Sequence, residues 1–593
     1  MQMRTLVPGV VLAAASACTP AATPPPAANP AVPAASSSSV AGLVVEPCTL
    51  PGVQGPARCG TLEVWENRAA RSGRRIPIRF VVIPGTETGP AREALTYLAG
   101  GPGSAATNAA GWITSSFGPS REGRDVLLVD QRGTGGSYPL HCGLYGSSGD
   151  AASFLGAFMP AEGVRACVPE LERKADLAHY TSDPAADDLD EVRAALGYER
   201  LDLFGASYGT RTALVYMRRH PERVRSAILL GVVPTDASSP LDFARDADRA
   251  LYGVVAECEA EAACRAAFPE LRANLRRSLE RLAHGPVEVE VVNPATGEPV
   301  RFPFTRDLYA EGMRYLLYGV GTSGLIPVMV QHAARGDFGP IAEFALDRRM
   351  NMVNAGSHAV FLAVTCAEDV PFADPAEGAR RAAGTFLGDY RLRDQRAACA
   401  EWPRAPIDPG FRGPVVSDAP TLILSGQWDP VTPPSGGEQV ARHLRNSLHV
   451  VVPSGAHGFG GLENASCVDR LMNDFVRAAS VAALDTSCVG TIRRRPFRTE
   501  PIQTQVARVE PAALARLAGE YQAQGFTATV AVNGERLEMT MPQGRWVLVP
   551  LSPTRFRRPG SVNLNVVFET EGGRARAMRL EDGGVPTLTA TRK

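Results

Sequence analysis

Short runs of apolar residues recur along the chain, and each is followed by polar or glycine-rich residues. The runs are typical of buried strands, and they cover residues 76–84, 94–98, 125–130, 200–204, 225–230, 420–425 and 448–452. Between several of them the apolar positions follow a helical period, most clearly over residues 184–196 and 210–219. Strands that alternate with helices predict an α/β fold with a mostly parallel sheet covered on both faces.

The pattern changes twice further along the chain. Residues 236 to about 400 are largely helical in period and hold two pairs of cysteines, and the strand signal returns only at residue 420. We therefore expect one sheet interrupted by a helical insertion. From residue 525 to 593 apolar and polar residues alternate between glycine-rich turns, which predicts a small, separate antiparallel β domain.

The first residues predict export from the cytoplasm. A positive charge at Arg4 precedes a short apolar run and small residues before Cys18, and the run is too short to span a membrane. Two interpretations remain open: ordinary signal-peptide cleavage after small residues, or a bacterial lipobox in which Cys18 is lipidated. Ala15 stands where a lipobox usually has leucine. The following Pro-, Ala- and Ser-rich stretch suits a semi-rigid tether.

These boundaries define the predicted organisation of the chain. It comprises a signal peptide at 1–17, a tether at 18–42, the first part of the α/β core at 43–235, a helical cap at 236–400, the second part of the core at 401–495 and a β domain at 505–593.

Charge and cysteine content narrow the function classes. With 593 residues and a net charge of −1, the chain is long enough for several domains and does not have the charge of a general nucleic-acid binder. Eleven cysteines leave an even number once Cys18 is set aside, and no Cys/His cluster suggests a metal. We predict disulfides between neighbours: Cys48–Cys59, Cys142–Cys167, Cys258–Cys264, Cys366–Cys399 and Cys467–Cys488.

The stretch LDLFGASYGTRTAL, residues 201–214, carries the candidate nucleophile. Ser207 lies between a predicted strand and a predicted helix, with Gly205 and Gly209 on either side. A nucleophile elbow needs this sharp turn and small flanking residues, although the same glycines also punctuate ordinary turns.

A serine hydroxyl needs a base, and later strand ends supply one. Asp429 follows one strand in SGQWDPVTPP, and His457 follows the next in VPSGAHGFGG. In this order His457 would take the proton of Ser207, and Asp429 would hold the imidazole in the correct tautomer.

The oxyanion hole is expected from two backbone N–H groups. One belongs to Tyr208, the residue after the nucleophile, and the other to the glycine-rich loop TYLAGGPGSA. Pro102 has no N–H, so Gly101 is favoured and Gly100 is the alternative. The loop lacks the Gly-Lys-Ser/Thr sequence of a phosphate-binding loop.

Taken together, GGPG at 100–103, VDQRGTGGS at 129–137, GASYGT at 205–210 and the Asp429 and His457 blocks resemble the proline iminopeptidase and tripeptidyl aminopeptidase branch of the α/β-hydrolases. The resemblance covers roughly residues 43–490. It implies an α/β-hydrolase fold with a cap, an acyl-enzyme mechanism and no metal or cofactor. Asp130 and Arg132 would order loops beside the site. Ala99 departs from the histidine usual in single-chain iminopeptidases.

The resemblance also implies carboxylates that hold the free amine of a peptide. In AVTCAEDVPF, residues 363–372, these would be Glu368 first and Asp369 second, although turn or helix-end carboxylates are equally typical of such a segment.

The expected function is therefore an exported aminopeptidase that releases short peptides from free N-termini, either secreted or held at the cell envelope by a lipid on Cys18. Its partners would be peptide substrates, without nucleic acid. Two alternatives stay open: a carboxylesterase or lipase with the same triad, and a surface protein that binds peptides without catalysis.

Overall fold

The computed structural model describes residues 42–593, except for 87–91, 148, 504, 524–525, 542–543, 563 and 583–584. The predicted signal peptide, Cys18 and nearly all of the tether lie outside the described residues. Within the described residues, every helix is too short or too polar to cross a membrane.

A nine-stranded sheet forms the centre of the α/β core, with strand order β1-β2-β3-β5-β4-β6-β7-β10-β11. Its strands are β1 (Leu43–Cys48), β2 (Ala57–Trp65), β3 (Arg75–Ile83), β4 (Glu93–Leu98), β5 (Asp125–Val129), β6 (Arg200–Ala206), β7 (Val224–Leu230), β10 (Thr421–Gly426) and β11 (Ser447–Val452). From β5 to β11 neighbouring strands are parallel, whereas β1, β2 and β3 pair antiparallel. The predicted parallel sheet is confirmed.

β1 and β2, at the antiparallel edge of the sheet, are the strands that apolar runs did not predict. β1 is an edge strand that is mostly exposed, and its apolar run is only three residues long, from Leu43 to Val45. In β2 the buried positions alternate with polar ones, and Gly60 and Arg58 interrupt the pattern. Gly60 is required because a Cβ there would lie 2.2 Å from the carbonyl oxygen of Val44.

Helices cover both faces of this sheet, because strands that are buried on both sides need apolar cover. They are α1 (Ala110–Ser116), α2 (Ala161–Glu172), α3 (Ser182–Ala195), α4 (Tyr208–Arg219), α15 (Pro434–Ala441) and α16 (Ser466–Ala478). Both predicted helices, at 184–196 and 210–219, are present as α3 and α4. A short pair, β12 (Leu462–Glu463) and β13 (Arg493–Arg494), follows the last core strand.

The insertion between β7 and β10 is largely helical, as predicted. Its helices are α5 (Phe243–Ala260), α6 (Ala262–Ala267), α7 (Leu271–Ala283), α8 (Arg306–Leu317), α9 (Val320–Ser323), α10 (Ile326–Ala334), α11 (Gly339–Ala355), α12 (His358–Glu368), α13 (Pro375–Ala382) and α14 (Tyr390–Glu401). A hairpin of β8 (Val287–Val292) and β9 (Pro299–Phe304) interrupts them. The sequence VEVEVV in β8 alternates with period two, which explains a strand in this place.

The carboxyl-terminal segment forms a closed antiparallel barrel, preceded by α17 (Pro511–Ala515). Its strands are β14 (Gly519–Ala523), β15 (Phe526–Asn533), β16 (Arg536–Met541), β17 (Gly544–Pro550), β18 (Arg555–Arg557), β19 (Leu564–Glu571), β20 (Arg574–Asp582) and β21 (Val585–Arg592). Buried apolar residues such as Leu537, Phe556 and Met578 fill it. The predicted β domain is therefore confirmed, and closure leaves it no free sheet edge.

Buried ion pairs join the barrel to the cap. Glu343 on α11 accepts the backbone N–H of Gly560 at 2.8 Å and pairs with both terminal nitrogens of Arg557. One helical turn later Asp347 pairs with Arg558 at 3.1 Å. These contacts attach the barrel to a helix of the cap.

All five predicted cysteine pairs are bonded in the structure. Cys48–Cys59 joins the edge strands β1 and β2, and Cys366–Cys399 joins α12 to α14. Disulfides between cysteines that are neighbours in the sequence therefore cross-link both the core and the cap.

Candidate active site

Ser207 occupies a strained turn between β6 and α4. Its φ of 56° and ψ of −129° lie in a region that residues with a side chain rarely adopt. The turn is tight enough to exclude side chains on both sides. A Cβ on Gly205 would lie 2.5 Å from the carbonyl oxygen of Gly209, and a Cβ on Gly209 would lie 1.9 Å from that of Leu98. This is the geometry of a nucleophile elbow.

Hydrogen bonds to both sides hold the turn in place. The N–H of Ser207 donates to the carbonyl of Leu230, at the end of the neighbouring strand β7, at 2.9 Å. The Thr210 hydroxyl donates to the carbonyl of Ser207 at 2.6 Å and accepts the N–H of Val233 at 2.8 Å. The strained backbone is thus fixed by its surroundings.

Asp429 and His457 form a hydrogen-bonded pair beyond the ends of β10 and β11. Nδ1 of His457 lies 2.8 Å from Oδ2 of Asp429, which is fully buried. The other oxygen of Asp429 accepts the N–H groups of Val431 and Thr432, both at 2.8 Å. Burial acts to raise the pKa of Asp429, but His457 and these donors outweigh it and hold the pKa below its usual value. Asp429 therefore stays a carboxylate beside the imidazole.

The Thr432 side chain is a member of this group that the sequence reasoning missed. Its hydroxyl donates to Oδ2 of Asp429 at 2.7 Å and lies 3.0 Å from Nδ1 of His457. Thr432 therefore fixes the carboxylate against the ring. The only signal in the sequence is its place three residues after Asp429, where the turn folds back.

The sheet brings Ser207 and the Asp429–His457 pair to one edge. The parallel strands β6, β7 and β10 are neighbours, and Gly231 follows β7 directly. A Cβ on Gly231 would lie 3.5 Å from Cε1 of His457 and 3.5 Å from Oδ2 of Asp429, while the residue before it binds the N–H of Ser207. Among the described residues Ser207 Oγ has no hydrogen-bond partner, and such bonds often form only with substrate.

Of the predicted oxyanion donors, Tyr208 follows the nucleophile directly and the alternative Gly100 packs against it. Tyr208 is the first residue of α4, so its N–H has no acceptor within the helix. Gly100 packs on the serine, since a Cβ there would lie 3.0 Å from Cβ of Ser207. Gly101 has a φ of 116°, which favours glycine. Gly100 therefore lies beside Ser207, with Gly101 next to it in the chain, and the donor role of either glycine stays a prediction.

Asp130 and Arg132 make the contacts expected of loop-ordering residues. Asp130 accepts the N–H and hydroxyl of Thr107 at 2.9 and 3.0 Å and the N–H of Gly136 at 3.0 Å. Arg132 binds both oxygens of Asp188, at 2.7 and 2.8 Å. The hydrogen bonds of Asp130 connect the segment after the glycine-rich loop to the segment after β5.

Glu368 and Asp369 lie inside the protein at the end of cap helix α12. Glu368 accepts the N–H and the hydroxyl of Ser182 at 2.7 and 2.8 Å, and Arg211 on α4 pairs with Asp369 at 2.8 and 3.1 Å. Glu368 is 0% exposed and Asp369 is 3% exposed. Because both carboxylates have partners within the protein, this arrangement favours a structural role beneath the nucleophile helix over contact with a substrate amine.

Glu368 is connected to the residue beside the nucleophile. The Tyr208 hydroxyl lies 2.8 Å from the Ser182 hydroxyl, which in turn donates to Glu368. Burial raises the pKa of Glu368 to about 7, against the lowering effect of Arg211 and Ser182. A titratable carboxyl therefore lies two hydrogen bonds from Tyr208.

Cap residues also reach the base. The ring of Tyr318, just after α8, packs on the His457 ring with centroids 5.2 Å apart. Arg249 on α5 donates to the backbone carbonyls of Gln427 and Asp429 at 2.7 and 3.0 Å. Neither residue could be identified from the sequence, because a helical period alone does not show what a cap helix contacts.

This sheet, the elbow and the Asp429–His457 pair define an α/β-hydrolase with a serine nucleophile. Comparison with protein families agrees: residues 94–261 match the alpha/beta hydrolase fold, and residues 384–488 match the family described as TAP-like protein.

Three relatives show the kind of protein the chain resembles. Serine protease Hip1 of Mycobacterium tuberculosis is 27% identical, over 74% of this chain and 88% of that protein. Tripeptidyl aminopeptidase of Streptomyces coelicolor is 25% identical, over 78% and 89%. Proline iminopeptidase of Aeromonas sobria is 31% identical, over 28% and 33%. The chain is thus an α/β-family serine hydrolase with a TAP-like region and relatives named as peptidases.

Proposed function

We propose that this protein is an exported serine peptidase that removes short peptides from free N-termini. The observation that carries the proposal is the pairing of buried Asp429 with His457, at the same sheet edge as Ser207 on its strained turn. The names of the relatives favour a peptide as the substrate.

In this mechanism Ser207 Oγ attacks the scissile carbonyl while Nε2 of His457 takes its proton. Asp429 stabilises the imidazolium through Nδ1. The developing oxyanion receives hydrogen bonds from the N–H groups of Tyr208 and Gly101. His457 then protonates the leaving amine, and water attacks the acyl-enzyme with the same imidazole as base.

The cap supports action on chain ends. The end of helix α12 is joined to the nucleophile helix by the Arg211–Asp369 ion pair, and Tyr318 after α8 covers one side of His457. A site covered in this way suits a short segment of peptide better than the middle of a folded chain. The predicted amine contact at Glu368 and Asp369 is the least supported part of the proposal, since those carboxylates are already paired.

Export is supported by five disulfides in the described residues, because such bonds persist in oxidising compartments. Cys18 then remains as the candidate for lipid attachment at the cell envelope, with secretion as the alternative.

A matched pair of substrates tests the proposal. We expect release of p-nitroaniline from a tripeptide anilide with a free N-terminus, and loss of that release when the same peptide is N-acetylated. Ser207→Ala should abolish the activity. Equal turnover of both peptides would contradict action at free N-termini, and turnover of p-nitrophenyl esters without any peptide cleavage would identify an esterase. Product analysis of an unblocked peptide ladder gives the number of residues released.

A further inference from the structure

Arg314 on cap helix α8 is a buried cation that no carboxylate of the described residues binds by a hydrogen bond or an ion pair. The residue is 2% exposed, and its Nε has no hydrogen-bond acceptor among the described residues. No hydrogen bond or ion pair from its guanidinium to any described residue is present. Most other buried arginines of the chain, such as Arg132 and Arg211, bind a carboxylate directly.

Aromatic rings surround this guanidinium. Its Cζ lies 4.6 Å from the ring centroid of Phe243 and 5.2 Å from that of Tyr318. Stacked rings satisfy the face of a guanidinium, whereas its N–H groups point outward in the plane. The rings therefore hold Arg314 in place and leave its hydrogen-bond donors free for an acceptor.

The surroundings hold more positive than negative charge, because Glu311 is shared by Arg314, Arg349 and Arg391. Arg391 on α14 is 4% exposed, and neither its Nε nor its Nη1 has an acceptor. Among the described residues, the carboxylate that pairs with Arg391 is Glu311, at 3.9 Å. Its two oxygens are already bound by the Tyr315 hydroxyl and by Arg349, each at 2.8 Å. Three arginines thus share one glutamate.

Two polar groups on helix α14 also have no hydrogen-bond partner among the described residues. The hydroxyl of Tyr390 and the side-chain oxygen of Gln395, both on α14, are enclosed and have no hydrogen bond to a described residue. Leaving buried charges and donors unpaired costs several kcal/mol, so an arrangement of this kind is typical of a site that a ligand completes.

This cluster lies beside the catalytic base. Tyr318 contacts Arg314 on one side and the His457 ring on the other, each at 5.2 Å. The guanidinium is therefore at most about 10 Å from the imidazole, a span that an extended peptide covers in about three residues.

We propose that Arg314, with Arg391 and the Tyr390 hydroxyl, binds a carboxylate of the peptide substrate. The proposal rests on the proposed peptidase function and adds a substrate class to it. A planar guanidinium offers paired N–H donors that match the two oxygens of a carboxylate. The carboxylate has two sources, an acidic side chain close to the scissile bond or the carboxyl terminus of a short peptide.

Two sets of substrates distinguish these sources. In the first, tripeptide anilides carry Glu or its neutral isostere Gln at each position in turn. In the second, short peptides with neutral side chains have a free or an amidated C-terminus. We expect kcat/KM to rise by about 10- to 100-fold for the carboxylate-bearing member of one pair, the range for a charged hydrogen bond.

Variants connect the preference to the cluster. Arg314→Met should bring the ratio of kcat/KM within the preferred pair close to one, and Arg314→Lys should retain part of it. Arg393→Met serves as the matched control, because Arg393 is an exposed cap arginine paired with Asp307, and its ratio should equal that of the wild type. If Arg314→Met does not fold, the wild-type ratios and the lysine variant still decide.

The failures can be told apart. Cleavage of carboxylate-bearing and neutral substrates at equal rates would overturn the carboxylate site and leave the peptidase function standing. A preference that survives unchanged in Arg314→Met would also overturn it. Absence of cleavage of every peptide would overturn the peptidase function, and the carboxylate site with it.

Discussion

Replacing Glu368 by glutamine tests whether this carboxyl is a structural group beneath the nucleophile. Burial raises its pKa from 4.5 to about 7. The native state then binds a proton more tightly than the unfolded chain, so the wild type loses stability as the pH rises from about 4.5 through about 7. Glutamine is neutral at every pH and removes this loss.

The magnitude follows from the size of the shift. One pKa unit corresponds to about 1.4 kcal/mol, so Glu368 lowers the free energy of unfolding by about 2 to 3 kcal/mol between pH 5 and pH 8. We expect Glu368→Gln to be more favourable relative to wild type at pH 8 than at pH 5 by this amount. The contributions of other titrating groups cancel in the difference between variant and wild type, because both proteins contain those groups.

Urea unfolding of wild type and variant at both pH values measures the difference. Asp369→Asn is the control, and it should destabilise the protein at both pH values because it removes the closest partner of the buried Arg211. If the difference in free energy of unfolding between Glu368→Gln and wild type does not change with pH, the reasoning is refuted. If the variant instead keeps wild-type stability and raises KM for free-amine peptides at least about tenfold, Glu368 is the amine anchor that the sequence predicted.

Two further substitutions test the base and the barrel. Asp429→Asn should lower kcat by about 10³- to 10⁴-fold, because it removes the carboxylate that fixes the tautomer of His457, and steady-state kinetics on a tripeptide anilide would show it; a loss below tenfold would argue against Asp429 as the acid. Arg557→Met should destabilise the protein by about 3 to 5 kcal/mol, because it leaves Glu343 buried without its cation; unchanged thermal unfolding would show that the pair does not stabilise the attachment of the barrel to the cap.

Features with a local cause could be predicted from the sequence. The elbow at Ser207 follows from glycines that the turn requires within two residues, and Asp429 and His457 follow strands whose apolar runs are strong. The parallel order of those strands then brings the three residues to one edge. The barrel was predictable for a similar reason, because its strands alternate with period two between glycine-rich turns.

Features that depend on distant partners could not be predicted. Ser182 binds Glu368 across 186 residues, and Arg211 lies 157 residues from it, so the segment CAED alone does not show that its carboxylates are enclosed. Arg314 has no directly bound carboxylate among the described residues. This depends on which residues the fold places around it, and the spacing of residues in the sequence does not show it. Thr432 acquires its role only from the way the turn folds back on Asp429.

The cap reaches the catalytic residues by two separate routes. Helix α12 connects through Glu368 and Ser182 to Tyr208, whose N–H is the predicted oxyanion donor, while α8 leads through Tyr318 to the ring of His457. A displacement of either helix therefore moves a group that acts in the transition state as well as the walls that contact substrate. Catalysis depends on such groups to within fractions of an ångström, so cap residues can affect kcat together with KM. The barrel contacts the cap at α11 and at the β8–β9 hairpin. Because α11 in turn pairs with α8 through Arg349 and Glu311, substitutions at this contact act on stability and also reach the helix of the second route.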